Sequence, residues 1–178
     1  WETFNTSDSV SAGAVIESVE LDGTMAKFTI PQEANSGNAL IAAKNSAGTI
    51  LWSWHIWVVD MDPDSKGVVY PSGYKFMDRN LGALSAVSSD VRSFGFLYQW
   101  GRKDPFVGSD GGETFAKTTL SDKSYIESGS DTNTKAYAVS HPTTVISYST
   151  WNSDPTLWGI DKTIYDPCPA GWRVPERE

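Results

Sequence analysis

The chain has 178 residues, a formal net charge of -8 and 39% hydrophobic residues, so it can bury a core in one medium or two small domains. The acidic balance argues against a nucleic-acid partner and against docking on an anionic membrane, because both need clustered Lys and Arg. No apolar run is long enough to span a bilayer. We therefore expect a globular protein with no nucleic-acid partner and no membrane-spanning segment.

Short strands and turns fill the first sixty residues. Candidate strands lie at 14–20 and 26–30, joined by a turn at Asp22-Gly23. The apolar run 39–43, a turn at 45–48 and the strand 50–59 predict a β-hairpin. This pattern is typical of an antiparallel sandwich, so we predict a sandwich-like β unit over 1–62.

The strand 50–59 carries three tryptophans in six positions. Alternation places Trp52 and Trp54 on one face and His55 and Trp57 on the other. Flat rings suit the apolar faces of sugars, so one interpretation is a sugar-stacking platform. The alternative is a core strand between two packed layers, which we favour because large aromatic side chains mostly serve burial.

The composition changes after Asp60. Asp60, Asp62 and Asp64 alternate as in a calcium loop, but Ser65 and Pro71 stand where that loop needs Gly and Glu. The segment 60–67 therefore predicts a solvated turn or linker, and no metal or other cofactor is expected. We predict a loop-rich mixed α+β domain over 63–178, with a long exposed loop at 107–135. No segment combines helix caps with helical periodicity.

Catalytic motifs are absent from the sequence, which contains no metalloprotease, hydrolase, P-loop or dinucleotide signature. The only cysteine, Cys168, cannot form an intrachain disulfide, and the neighbouring Asp166 would raise its pKa. A carboxylate pair for glycan hydrolysis can arise in any acidic protein, so a glycan-active enzyme is the weakest of three functions considered.

Several strings along the chain are distinctive when taken together. They are Gly37-Asn38-Ala39-Leu40-Ile41-Ala42-Ala43-Lys44, Ile50-Leu51-Trp52-Ser53-Trp54-His55-Ile56-Trp57, Phe76-Met77-Asp78-Arg79-Asn80-Leu81-Gly82-Ala83, Leu97-Tyr98-Gln99-Trp100-Gly101-Arg102-Lys103-Asp104-Pro105-Phe106 and Cys168-Pro169-Ala170-Gly171-Trp172-Arg173-Val174-Pro175. The series resembles the C-terminal region of fimbrillin-like surface proteins of Gram-negative gut anaerobes. The later strings resemble the start of their "major paralogous domain".

The resemblance implies export to the cell surface or outer membrane, often as a lipoprotein or a pilus-associated protein. It implies an adhesion module whose partners are glycans or other surface and pilus subunits, and a C-type-lectin-like architecture for 63–178. It also implies that the chain stops before its last domain is complete, and that the parent protein pairs Cys168 with a later cysteine. The alternative function is a carbohydrate-binding accessory module of a glycan-uptake system.

Five side chains are the candidate ligand-binding residues, since aromatic rings and guanidinium groups commonly contact sugars and proteins. They are Trp54, Trp57, Arg79, Trp100 and Arg102. For Arg79 a structural alternative stays open, in which 77–83 forms a corner with Asp78 or Arg79 bonded to the backbone or an ion-pair partner, and Gly82 permits a positive φ.

Overall fold

A computed structural model describes residues 2–3, 13–33, 36–106, 122–126, 134–146, 154 and 156–175, with the backbone alone at 3, 63 and 122–126. Strands predominate, so the mainly-β prediction is confirmed. The elements in chain order are β1 (Glu2–Thr3), β2 (Ser18–Asp22), β3 (Met25–Thr29), β4 (Gly37–Lys44), β5 (Ile50–Val58), α1 (Pro63–Lys66), β6 (Val68–Val69), β7 (Lys75–Phe76), a 3-10 turn (Val91–Ser93), β8 (Asp122–Ile126), α2 (Lys135–Ser140) and β9 (Thr144–Ile146).

The predicted hairpin at 39–59 is confirmed. Strands β4 and β5 are hydrogen-bonded neighbours in a sheet whose third strand is β1. Asn45 closes the turn, because its side-chain oxygen accepts from the amides of Ala47 and Thr49 at 3.0 and 2.9 Å. Gly48 takes the positive φ of 83° that this turn requires.

The chain forms two compact units that alternate along the sequence. Unit 1 comprises Trp1–Leu40, Ile56–Phe96 and Gly108–Thr118, and unit 2 comprises Ile41–His55, Leu97–Val107 and Thr119–Glu178. The division into one domain over 1–62 and a second over 63–178 stays a prediction.

Val15, Ile16 and Ala39 form a buried cluster in the core of unit 1, and the partly buried Ile56 and Val58 pack against it. The Glu2 carboxylate accepts the Val15 amide at 2.8 Å and so holds the start of this core.

Two hairpins complete the described strands of unit 1. Strands β2 and β3 pair antiparallel from Ser18↔Thr29 to Asp22↔Met25, and β6 pairs with β7. Helix α1 directly precedes β6 in the chain, and its N-cap residue Asp62 accepts the Asp64 amide at 3.0 Å. The segment predicted as a linker at 60–67 thus contains one helical turn, which the sequence interpretation missed.

Unit 2 contains helix α2 and strands β8 and β9. Thr134 caps α2 by accepting the Tyr137 amide at 3.1 Å. This helix was not predicted. Strand β8 pairs with β9 in parallel, with Asp122 opposite Thr144. The prediction of a continuous loop over 107–135 is therefore wrong at 122–126, while 107–121 and 127–133 lie outside the described residues.

Candidate binding surfaces

Unit 2 contains a buried ion pair, Lys103 with Asp104. The Lys103 ammonium donates to both carboxylate oxygens of Asp104 at 2.8 and 2.9 Å, and to the Ser53 hydroxyl and carbonyl at 2.6 and 2.8 Å. It also lies 4.4 Å from the centre of the Trp52 ring. Burial raises the pKa of Asp104 and lowers that of Lys103, while the attraction between them opposes both shifts. The two charges neutralise each other, so neither is available to bind a ligand.

Arg102 is buried and binds the protein's own carbonyls. Its guanidinium donates to the Thr144 carbonyl at 2.5 Å, the His141 carbonyl at 2.9 Å and the Ala138 carbonyl at 3.2 Å. Burial lowers its pKa to about 10, which keeps it charged at neutral pH. The structure thus places this candidate ligand residue as a clamp between the end of α2 and the start of β9.

Beside these charges lies a small cavity. It is lined by Arg102, Lys103, Asp104, Lys135 and Tyr165, among others, and has a volume of about 10 Å³. That volume is at the lower limit for one water molecule, so a sugar ring cannot enter it.

His55 and Tyr98 form a partly buried pair in unit 2. The Tyr98 hydroxyl lies 3.2 Å from His55 Nδ1. Burial lowers the pKa of His55 to about 3 and raises that of Tyr98 well above its ordinary value. Both groups are therefore neutral at physiological pH, and His55 is a poor proton acceptor for catalysis.

Cys168 is partly buried and unpaired. Burial, together with the charge and hydrogen bond of Asp166, raises its pKa to about 12. The predicted effect of Asp166 is confirmed, and the thiol stays protonated and unreactive at neutral pH.

The three candidate tryptophans differ in exposure. Trp54 and Trp57 are partly buried, and the Trp57 indole nitrogen donates to the Ala83 carbonyl at 3.2 Å. Trp100 is 39% exposed, and its ring centre lies 5.0 Å from that of the buried Trp158. Trp100 is thus the candidate ring most open to solvent.

Arg79 lies in the predicted corner of unit 1. Its guanidinium donates to both Asp78 oxygens at 2.9 and 3.1 Å, and these hydrogen bonds are the main cause of the lowered pKa of Asp78. The turn closes through the Ala83 amide on the Asn80 carbonyl, and Gly82 has a φ of 81°. The structural interpretation of 77–83 is confirmed, with Arg79 in an ion pair and only 9% of its side chain exposed.

The β6–β7 hairpin presents aromatic side chains to solvent. The register pairs Val68 with Phe76, and the Tyr70 amide donates to the Tyr74 carbonyl at 2.8 Å. Directly opposed residues share a face, so these four side chains form one surface, which we call the aromatic face. Their exposed fractions are 48% for Val68, 52% for Tyr70, 60% for Tyr74 and 46% for Phe76.

The reverse of this hairpin is anchored. Lys75 lies on the face opposite the aromatic face, and its ammonium donates to the Asp64 carbonyl at 2.5 Å. This surface was not predicted from the sequence, although the aromatic and β-branched residues around Pro71-Ser72-Gly73 are a hairpin signal.

A second exposed surface lies on the β2–β3 hairpin. Alternation and register place Val19, Leu21, Ala26 and Phe28 on one face, which we call the aliphatic face. Leu21 is 71% exposed and Val19 is 49% exposed. The opposite face carries charged residues beside Met25, and among them Lys27 forms an ion pair with Asp22.

The described part of the chain contains no cluster of three or more His, Cys, Asp or Glu side chains that could hold a metal ion. Among the same residues, no helix is long and apolar enough to cross a membrane. No protein-family model, curated protein or solved structure matches the chain.

Proposed function

We propose that the chain is a non-catalytic adhesion module, exported and displayed on the outer surface of a Gram-negative cell, alone or with pilus subunits. The observation that supports this proposal is the exposure of two apolar β-hairpin faces in unit 1, the aromatic face and the aliphatic face. The sandwich-like arrangement of the N-terminal strands and the lectin-like architecture of 63–178 belong to the same proposal.

Exposed apolar faces favour a role in binding. Contiguous apolar surface on a soluble protein commonly marks a place where a partner docks, and tyrosine is enriched at such places because it joins an apolar ring to a polar hydroxyl. A two-stranded hairpin is also marginally stable by itself, so cover from a partner would stabilise both hairpins.

The polar groups of unit 2 support a non-catalytic function. Lys103 and Asp104 neutralise each other, Arg102 binds backbone carbonyls, and Cys168 has a raised pKa. Catalytic groups instead need pKa values near the working pH and access to a substrate.

Binding of the fluorescently labelled chain to a mucin-coated surface tests the proposal. We expect saturable retention that falls when Leu21→Asp and Tyr74→Ala are introduced together, since both side chains are exposed. Val87→Asp is a matched control, because Val87 is also exposed in unit 1 but lies outside both hairpins. Absence of saturable retention, or release of shortened glycans from the mucin, would contradict a non-catalytic adhesion module.

A carbohydrate-binding accessory module is the second candidate function. The exposed Trp100 ring beside Trp158 favours it, since a partly exposed indole supported by a second ring offers a flat surface for a sugar. Trp100→Ala should then abolish binding to soluble glycans, while Tyr74→Ala should not.

A further inference from the structure

We infer that the aromatic face of the β6–β7 hairpin binds a neutral pyranoside, with sugar rings lying on Tyr70, Tyr74 and Phe76. This inference rests on the proposed adhesion function and names its ligand class and its site.

The three aromatic rings lie together on one face of the hairpin. Tyr70 and Tyr74 oppose each other across the hairpin, and Phe76 follows Tyr74 by two residues on the same face. The Tyr70 and Phe76 rings meet edge to face, with centres 5.3 Å apart. These contacts hold the rings as one surface, while about half of each side chain stays in solvent.

The aromatic face offers both apolar and hydrogen-bonding groups. Among the described residues, no hydrogen bond joins either tyrosine hydroxyl to another protein group. The surface therefore combines apolar ring faces with two hydroxyls that can donate and accept. A pyranose offers the complement, since its C–H groups lie on a ring face and its hydroxyls project from the edge. A purely apolar protein partner would leave both phenol groups unpaired, at a cost.

The charged residues around the aromatic face favour a neutral sugar. Lys75 is the only cationic residue among 67–76, and its ammonium lies on the opposite face, bonded to the Asp64 carbonyl. Three carboxylates, Asp60, Asp62 and Asp64, and one cation, Lys66, precede the hairpin, and the whole chain has a net charge of -8. A sialylated or sulfated glycan would therefore meet more acidic than basic groups beside the hairpin.

Glycan-array binding followed by calorimetry tests the inference. The probes are neutral hexopyranose oligosaccharides, their sialylated and sulfated forms, and an arginine-rich peptide. The peptide is included because a cation over an aromatic ring is the rival chemistry for this surface. We expect binding to neutral oligosaccharides and weaker binding to the charged forms.

Variants then locate the site. Tyr74→Ala should weaken the affinity for the best neutral oligosaccharide about tenfold, and Tyr70→Ala with Tyr74→Ala roughly a hundredfold. Tyr74→Phe, which keeps the ring, should retain most of the affinity. Val69→Ala is the matched control, since Val69 is 66% exposed on the opposite face of the same hairpin. Thermal unfolding of each variant separates lost binding from lost structure.

The outcomes distinguish this inference from the proposed function. Neutral-glycan binding that survives both tyrosine substitutions overturns the site but keeps the adhesion module. Binding confined to the charged glycans, to the arginine-rich peptide or to mucin protein overturns the neutral pyranoside and also keeps adhesion. A chain that binds neither the array nor a mucin-coated surface overturns both.

Discussion

Residues 97–106 and 68–76 use their side chains in opposite ways. In the first segment, Arg102, Lys103 and Asp104 are charged yet mostly buried, and each is paired with groups of its own unit. In the second segment, tyrosine and phenylalanine rings are largely apolar yet exposed.

The contrast separates stability from recognition. A buried charge costs free energy unless every partner is in place, so it constrains the fold and has nothing left for a ligand. An exposed ring contributes little to folding and keeps its surface for a partner. Substitutions should therefore affect stability in residues 97–106 and binding in residues 68–76.

The largest expected loss of stability follows Arg102→Ala. Removing the guanidinium leaves the buried carbonyls of Ala138 and Thr144 without this donor, while the His141 carbonyl keeps the Thr144 amide, so the free energy of unfolding should fall by about 3–5 kcal/mol. Urea denaturation measures this. Arg102→Lys should lose less, because it keeps the charge but fewer donors.

The control for that prediction is Arg92→Ala. Arg92 forms an exposed ion pair with Asp90, so its removal should leave the unfolding midpoint nearly unchanged. Equal effects of the two alanine substitutions would contradict a stabilising role for the buried Arg102 guanidinium.

Gly82→Ala is expected to have the next largest effect. A Cβ at this position would lie 2.4 Å from the Phe96 ring, and the φ of 81° is strained for any other residue. The free energy of unfolding should fall by about 2–4 kcal/mol. Gly73→Ala has a similar φ but open space around the added carbon, so about 1 kcal/mol is expected there. A smaller loss at Gly82 than at Gly73 would show that the corner at 77–83 is not closely packed.

A pH dependence should arise from His55. Its pKa is about 3 in the folded chain and 6.5 ordinarily, so below pH 6.5 the unfolded chain gains a proton that the folded chain does not. The free energy of unfolding should therefore decrease from pH 6.5 to 5, by at most about 1.4 kcal/mol per pH unit and less because the ring is partly exposed. His55→Gln should remove most of this slope, whereas His141→Gln should keep it.

The smallest expected effect on stability follows Leu21→Thr. Leu21 is 71% exposed on the aliphatic face, and threonine suits a strand, so the free energy of unfolding should change by less than about 0.5 kcal/mol. Binding of an apolar fluorescent dye should nevertheless decrease. A large drop in the unfolding midpoint would mean that the aliphatic face is covered within the folded chain.

Local patterns predicted the local structure well. The turn at 45–48 and the alternation in 50–59 predicted β4 and β5, and the corner at 77–83 followed from Asp78, Asn80 and Gly82. These features depend on neighbours in sequence. The Asp62 cap of α1 and the Thr134 cap of α2 are equally local, but helices of four and six residues are too short to show a periodic pattern.

Long-range partners could not be predicted. Arg102 was a candidate ligand residue, and its role depends on carbonyls 36 to 42 residues away in sequence. The rings of Tyr70 and Tyr74 look like core residues in a hydrophobicity pattern, and only the three-dimensional structure shows them exposed. Burial is a property of the whole fold, whereas a turn is a property of a few residues.

The most direct test of the central claim measures stability and glycan affinity together in Arg102→Lys and Tyr74→Ala. The account predicts that Arg102→Lys lowers the free energy of unfolding and keeps the affinity of the folded fraction. It predicts that Tyr74→Ala keeps the free energy of unfolding and loses about tenfold in affinity. The reverse pattern, with binding lost at Arg102 and unchanged at Tyr74, would contradict it.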